Sequence, residues 1–373
     1  MDIREQLREQ CSGCGVKLQH TDPQELGYLP RQAAEKGTAI CQRCYRIKHY
    51  NEASDAVLNE NDFLRILNEI GTTNSLVVNI IDIFDFEGSL IQGLPRFVGQ
   101  NPVILAINKL DLLPKVTNVN KVINWVQHQA KQYGIRPVDV VILSAKKNLG
   151  FDYLIEAIQD HRQGRDVYVV GATNVGKSSV INRLIRDYSD LDEELTISQY
   201  PGTTLDVVKI PLERNASIID TPGIVYHHRL TEMVHKRDLQ SLLPQKPIKP
   251  AVYQLNEGQT LFFGSFARVD FVQGERQSFT IYHSNAIPIH RTKREKADEL
   301  YAEHRGKMLA PPNEEGLAQL PDFSKHTLKI ARGEKMDISI SGLGWIKVNS
   351  DQGAIMEVQV PKGVKVSVRP SII

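Results

Sequence analysis

A phosphate-binding loop is the feature that most restricts how this chain folds. Residues 171–178 read GATNVGKS, which matches the pattern Gly-x-x-x-x-Gly-Lys-Ser/Thr. The apolar segment DVYVV precedes this P-loop and the helical pattern SSVINRLI follows it, as the motif requires. Glycines let the backbone wrap closely around phosphate, and the N–H groups at the start of the next helix point towards the negative charge. The sequence therefore predicts a nucleotide-binding α/β domain around this loop.

The P-loop and a later aspartate supply the groups that phosphate and Mg²⁺ need. Lys177 is expected to reach the β- and γ-phosphates, and the hydroxyl of Ser178 is expected to bind Mg²⁺. Asp220, in the motif DTPG, ends a strand pattern and would hold the same ion through water. The remaining predicted contacts to the phosphates are Gly171, Asn174, Val175, Gly176 and Ser179.

A second motif indicates which base the nucleotide carries. Residues 108–111, NKLD, follow the apolar segment PVILAI, and the carboxylate of Asp111 would accept both N–H groups of guanine. Adenine lacks this pair of donors, so an ATPase is disfavoured. The predicted base-contact residues are Asn108, Lys109, Asp111, Ser144, Ala145 and Lys146. Both segments also fit a simple turn at the end of a strand.

Strand and helix patterns alternate around these motifs, which is typical of a parallel sheet covered on both faces. Predicted strands span residues 76–83, 102–107, 138–143, 166–170, 205–210 and 217–219, with crossover helices at 121–133 and 153–161.

The pattern changes after about residue 226. A helix ending at 243 and the Pro-rich segment QKPIKP lead into short alternating strands, so we expect a separate β-rich domain. Its predicted strands are TLFFGSF, ARVDFVQ, QSFTIYH, MDISIS, GWIKVN, AIMEVQV and VKVSVRP, and its one clear helix spans 293–304.

All four cysteines lie near the beginning of the chain, in two CxxC pairs. Cys11, Cys14, Cys41 and Cys44 would place four thiolates at the corners of a tetrahedron, which predicts a structural zinc site. An iron–sulfur cluster is the alternative for the same four ligands. Disulfides are disfavoured because the chain shows no apolar signal segment or membrane span, which predicts a cytoplasmic protein.

Net charge is only +1, so a nucleic-acid site has to be local. We expect no membrane or DNA partner. One basic cluster lies beside the second CxxC pair and another lies in the β-rich region: Arg43, Arg46, Lys48 and His49, then Arg291, Lys293, Arg294 and Lys296. Each cluster fits an RNA contact or a solvated charged surface, the second being one face of a charged helix.

The motifs run in the order base recognition, base support, P-loop, switch I and switch II, which is a rotation of the order in small GTPases. This order resembles that of the circularly permuted GTPases. With a cysteine module in front and a β-rich domain behind, the whole chain most closely resembles the YqeH family of ribosome-assembly GTPases. The expected domains are a Cys₄ zinc-binding module (1–55), a circularly permuted GTPase domain (56–231) and a β-rich, RNA-binding domain (232–373).

The resemblance assigns further roles around the γ-phosphate. In the switch I motif PGTT, Thr204 would sense Mg²⁺ and the γ-phosphate, with Thr203 as the alternative, and Gly223 would donate its N–H to that phosphate. Ile224 occupies the position where many small GTPases place a water-orienting glutamine, which implies slow intrinsic hydrolysis. Asn174 matches an asparagine that relatives use to hold K⁺, although it also fits a bond to its own loop.

The resemblance also implies a partner. The YqeH type carries a C-terminal domain similar to the trp RNA-binding attenuation protein and acts in small-subunit assembly. We therefore expect a GTPase that uses GTP/GDP, Mg²⁺ and Zn²⁺ and recognises ribosomal RNA or an immature small ribosomal subunit, stimulated by K⁺ or by that partner. The alternative is a non-catalytic zinc-ribbon RNA-binding adaptor with GTP or GDP as a structural ligand.

Overall fold

The chain forms two compact units. The computed structural model describes residues 11, 17–23, 27–35, 40–42, 57–58, 60–188, 196–199, 206–211 and 216–373. The first unit comprises Met1–Asp82, Ser89–Leu110 and Ile123–Val225, and the second comprises Ile83–Gly88, Asp111–Val122 and Tyr226–Ile373. The three-domain division at 1–55, 56–231 and 232–373 stays a prediction. Across the described ranges, no helix is both long and apolar enough to cross a membrane.

A seven-stranded sheet forms the centre of the first unit. Its spatial order is β4-β3-β2-β5-β8-β7-β6, and β1 and β9 form a separate parallel pair. The strands in chain order are β1 (Val57–Leu58), β2 (Leu76–Asp82), β3 (Val103–Asn108), β4 (Asp139–Ile142), β5 (Val167–Gly171), β6 (Thr196–Gln199), β7 (Asp206–Pro211), β8 (Ser217–Asp220) and β9 (Gly223–Ile224). Every residue of β2, β3 and β5 is buried, as expected for the central strands of a parallel sheet.

The helices described up to residue 188 separate these strands along the chain. They are α1 (Arg31–Glu35), α2 (Glu60–Ile70), α3 (Phe86–Ser89), α4 (Leu94–Val98), α5 (Val119–Gln132), α6 (Phe151–Arg162) and α7 (Lys177–Tyr188). The two predicted crossover helices are confirmed as α5 and α6.

All six predicted strands of the sheet are confirmed, with small shifts at their ends, but the sheet is not parallel throughout. β4, β3, β2, β5 and β8 are parallel, whereas β7 runs antiparallel to β8 and β6 antiparallel to β7. The expectation of a parallel sheet is therefore wrong at this edge. β7 and β8 follow each other closely in sequence, and only antiparallel neighbours can be joined by so short a connection.

The second unit contains two five-stranded antiparallel sheets, ordered β10-β13-β17-β16-β19 and β14-β11-β12-β18-β15. Their strands are β10 (Ala251–Leu255), β11 (Gln259–Phe263), β12 (Ala267–Gln273), β13 (Gln277–His283), β14 (Ile289–Lys293), β15 (Phe323–Ile330), β16 (Glu334–Ile340), β17 (Gly344–Ser350), β18 (Ala354–Pro361) and β19 (Val366–Pro370). The helices are α8 (Lys236–Leu242), α9 (Ala297–His304) and α10 (Glu314–Leu317). The core includes Phe266, Phe271, Phe279, Ile338 and Met356.

The seven predicted strands of this unit are confirmed, but the predicted helix at 293–304 begins too early. Lys293 is the last residue of β14 and pairs with Gln259 of β11, so strand pairing holds it in extended backbone. A 3₁₀ turn at Arg294–Lys296 follows, and α9 begins only at Ala297. The basic cluster around residue 293 therefore lies on a strand and a turn, not on one face of a helix.

Buried charges gather around the short segment Ile83–Gly88 of the second unit. The Nε atom of Arg229 donates to Oδ2 of Asp85 at 2.8 Å, and both side chains are almost fully buried. Arg369 forms a hydrogen-bonded ion pair with Glu87, again with both groups buried. Burial also raises the pKa of the neighbouring Asp337 above its usual value. Each of these arginines offsets a carboxylate that would otherwise be desolvated without a counter-charge.

Replacing Arg229 with methionine should therefore destabilise the second unit strongly. Arg229→Met leaves the Asp85 carboxylate buried without its cation, and we expect a loss of about 3–5 kcal/mol in the free energy of unfolding. Arg237→Met is the matched control, because Arg237 pairs with Glu315 at 3.5 Å while both groups are exposed, and its loss should be below about 1 kcal/mol. Denaturant unfolding measures both, and equal losses would contradict the expectation.

Candidate nucleotide-binding site

The P-loop lies at the carboxyl end of β5, in the middle of the seven-stranded sheet, and leads directly into α7. Two of its residues have left-handed backbone, Asn174 with φ +62° and Gly176 with φ +85°. A Cβ atom at Gly176 would lie 2.5 Å from Nδ2 of Asn108, so only glycine fits this position without movement of its neighbour. The second glycine of the motif thus permits close approach of the loop after β3.

Lys177 and Asp220 form a buried ion pair beside this loop. Lys177 is the first residue of α7 and Asp220 the last of β8, and the lysine Nζ donates to Oδ1 of the aspartate. Their exposed fractions are only 3% and 2%, and Ser178 is buried as well. The structure therefore places the three groups predicted to bind phosphate and Mg²⁺ close to the carboxyl ends of β5 and β8.

The Asn108 side chain joins the P-loop to the loop after β4. Its Nδ2 donates to the carbonyl oxygen of Val175 at 2.9 Å, and its Oδ1 accepts from the N–H of Ala145 at 3.0 Å. Asn108 is only 2% exposed, and these two bonds pair both ends of its side-chain amide within the protein. This bridging arrangement was not part of the sequence prediction.

The neighbouring residues of the two base-recognition segments are placed as follows. Ser144 is buried, and its Oγ accepts from the N–H of Lys147 at 3.1 Å, which closes a turn. Lys146 is exposed on that turn. Asp111 lies in the 3₁₀ turn Leu110–Leu112, three positions after Asn108.

Lys109 and Asp82 add a second connection to the P-loop. Lys109 Nζ donates to Oδ2 of Asp82 at 2.6 Å and to the carbonyl oxygen of Asn174 at 2.5 Å. Asp82 is not among the site residues predicted from the sequence. Its signal is that it ends an apolar strand with a carboxylate, as Asp220 does.

β9 (Gly223–Ile224), which begins at the last residue of the DTPG motif, also contacts the P-loop. The N–H of Thr173 donates to the carbonyl oxygen of Ile224 at 2.8 Å, and β9 pairs with β1. Ile224 is 0% exposed, so its side chain packs in the interior. Thr203 and Thr204 of the predicted switch I lie outside the described residues.

Two of the predicted zinc ligands are described, and they lie together. Cys11 and Cys41 are buried in contact with Leu18 and Ile40, and the N–H of Cys41 donates to Sγ of Cys11 at 3.1 Å. Cys14 and Cys44 lie outside the described residues, as do the four basic residues beside the second pair. No group of three or more metal-ligating side chains occurs among the described residues.

Comparison with known families defines the class of this site. Residues 166–249, which include the P-loop, Asp220 and Gly223, match the family model described as 50S ribosome-binding GTPase. The chain is also 31% identical to the GTPase Der of Xanthomonas oryzae pv. oryzae, over 43% of this chain and 35% of that relative. This part of the protein is therefore a P-loop GTPase domain.

Similarity over the full length identifies the family. The chain is 49% identical to the Bacillus subtilis protein YqeH, over 97% of this chain and 99% of that relative. Residues 276–372 match the family model of the YqeH-like C-terminal domain. A relative named putative nitric oxide synthase, from Oryza sativa, is 30% identical over 97% of this chain and 77% of its own length. The protein belongs to the YqeH family.

The close approach at Gly176 gives a direct test of the site. In Gly176→Ala the new methyl group would displace the Asn108 amide, and we expect GDP affinity to fall by about tenfold or more, since each 1.4 kcal/mol of lost binding is a factor of ten. Gly164→Ala is the matched control, because Gly164 has φ +79° but open space around its Cβ position. Equal GDP affinities of the two variants, measured by fluorescence titration, would show that the contact is irrelevant.

Proposed function

We propose that this protein binds GTP, hydrolyses it to GDP and phosphate, and uses the nucleotide state to control binding to ribosomal RNA or the small ribosomal subunit. One observation carries the nucleotide-binding part of the proposal, and membership in a GTPase family supports hydrolysis. The loops after β3, β4 and β5 are joined through the Asn108 side chain, and the loop after β5 also holds the Lys177–Asp220 pair. These contacts support a site in which the base-recognition and phosphate-binding motifs lie together at the carboxyl ends of the parallel strands, where nucleotides bind in open α/β folds.

The order of the strands supports a circularly permuted GTPase domain. β3 and β4, which carry the base-recognition motifs, come before the P-loop strand β5 in the chain. In the sheet they lie on one side of β5, beyond β2, while β8 with its Asp220 lies on the other side. In small GTPases the P-loop strand comes first. The same spatial order with a different starting point is what a permutation produces.

The buried residues fit a Mg²⁺–nucleotide complex. Ser178 and Asp220 provide the hydroxyl and carboxylate oxygens that Mg²⁺ prefers, and Lys177 provides a cation for the β- and γ-phosphates. Bound Mg²⁺ would neutralise phosphate charge. In the structure Lys177 and Asp220 pair with each other, so binding would exchange this ion pair for a contact of the lysine with phosphate and of the aspartate with the ion.

Hydrolysis by the protein alone is proposed to be slow. Ile224 is buried and apolar, so the side chain at this position does not orient the attacking water. We propose that K⁺, held with the help of Asn174, supplies positive charge beside the phosphates and so compensates for the absent water-orienting side chain. Asn174 lies within the phosphate loop with left-handed backbone, and the bond from Lys109 to its carbonyl oxygen fixes it there.

The flanking modules are proposed to recognise RNA in the cytoplasm. The contact between Cys11 and Cys41 supports a structural Cys₄ zinc site, because N–H donation to sulfur stabilises a thiolate. In the C-terminal unit, Arg291 and Lys293 are exposed on β14, an edge strand of its sheet, and Lys293 lies 3.6 Å from the exposed Glu295. Arg294 is partly buried and pairs with Glu357 at 2.8 Å. Arg291 and Lys293 are therefore the stronger candidates for phosphate contacts.

Metal analysis of the purified protein separates zinc from an iron–sulfur cluster in the proposed Cys₄ site.

A non-catalytic adaptor is the competing function. Ile224 is the observation that favours it, because a GTPase without a water-orienting side chain can retain GTP as a structural ligand. The two functions differ in turnover.

Turnover measured in KCl and NaCl, with and without small ribosomal subunits, tests the proposal. We expect phosphate release to be faster in KCl and faster again with subunits. Asn174→Ala should remove the potassium effect, and Asn174→Gly should do the same without strain at φ +62°, which separates loss of the side chain from backbone distortion. Equal wild-type rates in both salts would contradict the potassium role, and no turnover under any condition would favour the adaptor.

A further inference from the structure

Asp82 lies at the junction of the base-recognition turn and the P-loop. It is the last residue of β2, where it pairs in register with Asn108 of β3. Its carboxylate is 2% exposed and lies 2.6 Å from Nζ of Lys109. The backbone N–H of Asp82 donates to Oγ of Ser89 at 3.0 Å, which fixes the end of the strand. The backbone of Asp82 is therefore fixed at the end of β2, and its buried carboxylate contacts the ammonium group of Lys109.

Lys109 needs this anchor because its backbone is in an unfavourable region. Its φ is +69°, a left-handed conformation that side chains other than glycine rarely adopt. Such a conformation persists only where the surroundings over-determine it. The two contacts of Nζ, to Asp82 and to the carbonyl oxygen of Asn174, provide that constraint.

The same two contacts link separate parts of the nucleotide site. One end of the connection is β2, which lies between the base-recognition strand β3 and the P-loop strand β5. The other end is the P-loop backbone at Asn174. Because Lys109 lies next to Asn108, movement of its ammonium group would shift the turn that the Asn108 side chain joins to Val175.

We propose that Asp82 is a positioning residue for guanine-nucleotide binding. It holds the Lys109 ammonium against the P-loop, so that the base-recognition turn and the phosphate loop keep one fixed separation. Asp82 acts through Lys109 and does not itself contact the nucleotide. This inference rests on the proposed function, since it concerns the same site.

A purely structural ion pair would behave differently. Its removal would lower the free energy of unfolding and leave the affinity for nucleotide unchanged. A positioning residue changes nucleotide affinity through Lys109, so the loss caused by removing Asp82 should not add to the loss caused by removing Lys109. A double-mutant cycle measures this non-additivity directly.

The experiment uses the full-length protein and fluorescently labelled GDP, with affinity and dissociation rate measured for Asp82→Asn, Lys109→Met and the double variant. We expect each single variant to bind about tenfold more weakly, in line with loss of a hydrogen bond to a charged group, and the double variant to bind no worse than either. Asp82→Glu, which keeps the charge on a longer side chain, should lie between wild type and Asp82→Asn. Asp139→Asn is the control. Asp139 begins β4, 45% exposed and 3.9 Å from His161, and its loss should leave affinity unchanged.

The outcomes separate this inference from the proposed function. If the wild-type protein does not bind GDP, both fail. If wild type binds GDP and Asp82→Asn binds it equally well, or if the two single losses add in the double variant, only the positioning role fails. Should Asp82→Asn not fold, Asp82→Glu carries the test, and wild-type affinity in that variant would overturn the proposal.

Discussion

The side-chain amide of Asn108 holds the nucleotide site together. It donates to Val175 of the P-loop and accepts from Ala145 of the loop after β4, while the adjacent Lys109 reaches Asn174 and Asp82. A buried primary amide that lost these partners would leave donors and acceptors desolvated, at a cost of about 1–3 kcal/mol for each unsatisfied group. The absence of a side chain at Gly176 is what allows the amide to come so close. The geometry of the base-recognition loops and that of the phosphate loop are thus parts of one hydrogen-bonded arrangement.

The motifs and the central strands were predictable from sequence because their signals are local. The P-loop has fixed glycine and lysine spacing, and β2, β3 and β5 are largely apolar runs, of which β2 and β3 end in polar residues. The missed strands are β1 and β9, which form a two-stranded pair, and β6, β10, β14 and β15, which are edge strands of larger sheets. An edge strand is paired on one side only and carries more exposed polar side chains, so its apolar pattern is weak. β15, with the sequence FSKHTLKI and alternating exposed positions, shows this clearly.

The contacts that connect the motifs were not predictable, because they depend on the order of strands in the sheet. Asn108 and Val175 are 67 positions apart, and Asp85 and Arg229 are 144 positions apart. Sequence pattern placed Asn108 and Asp220 at strand ends but gave no sign that the Asn108 side chain bonds to protein on both sides, or that Asp82 is the counter-charge of Lys109. Similarly, nothing local in the segment Ile83–Gly88 indicates that its carboxylates pair with arginines of the β-rich region.

Competition between nucleotides for the wild-type protein and for Asp111→Asn tests the guanine site most directly. In the proposed binding mode the Asp111 carboxylate would accept two N–H groups of guanine. GTP should then displace labelled GDP while ATP should be weaker by about 10⁴-fold, because its base would leave the aspartate unpaired. An asparagine presents one donor and one acceptor, which match the carbonyl and N–H of xanthine, so the variant should prefer xanthosine diphosphate to GDP. Displacement by ATP as effective as that by GTP, or an unchanged preference in the variant, would contradict a guanine-specific site in this protein.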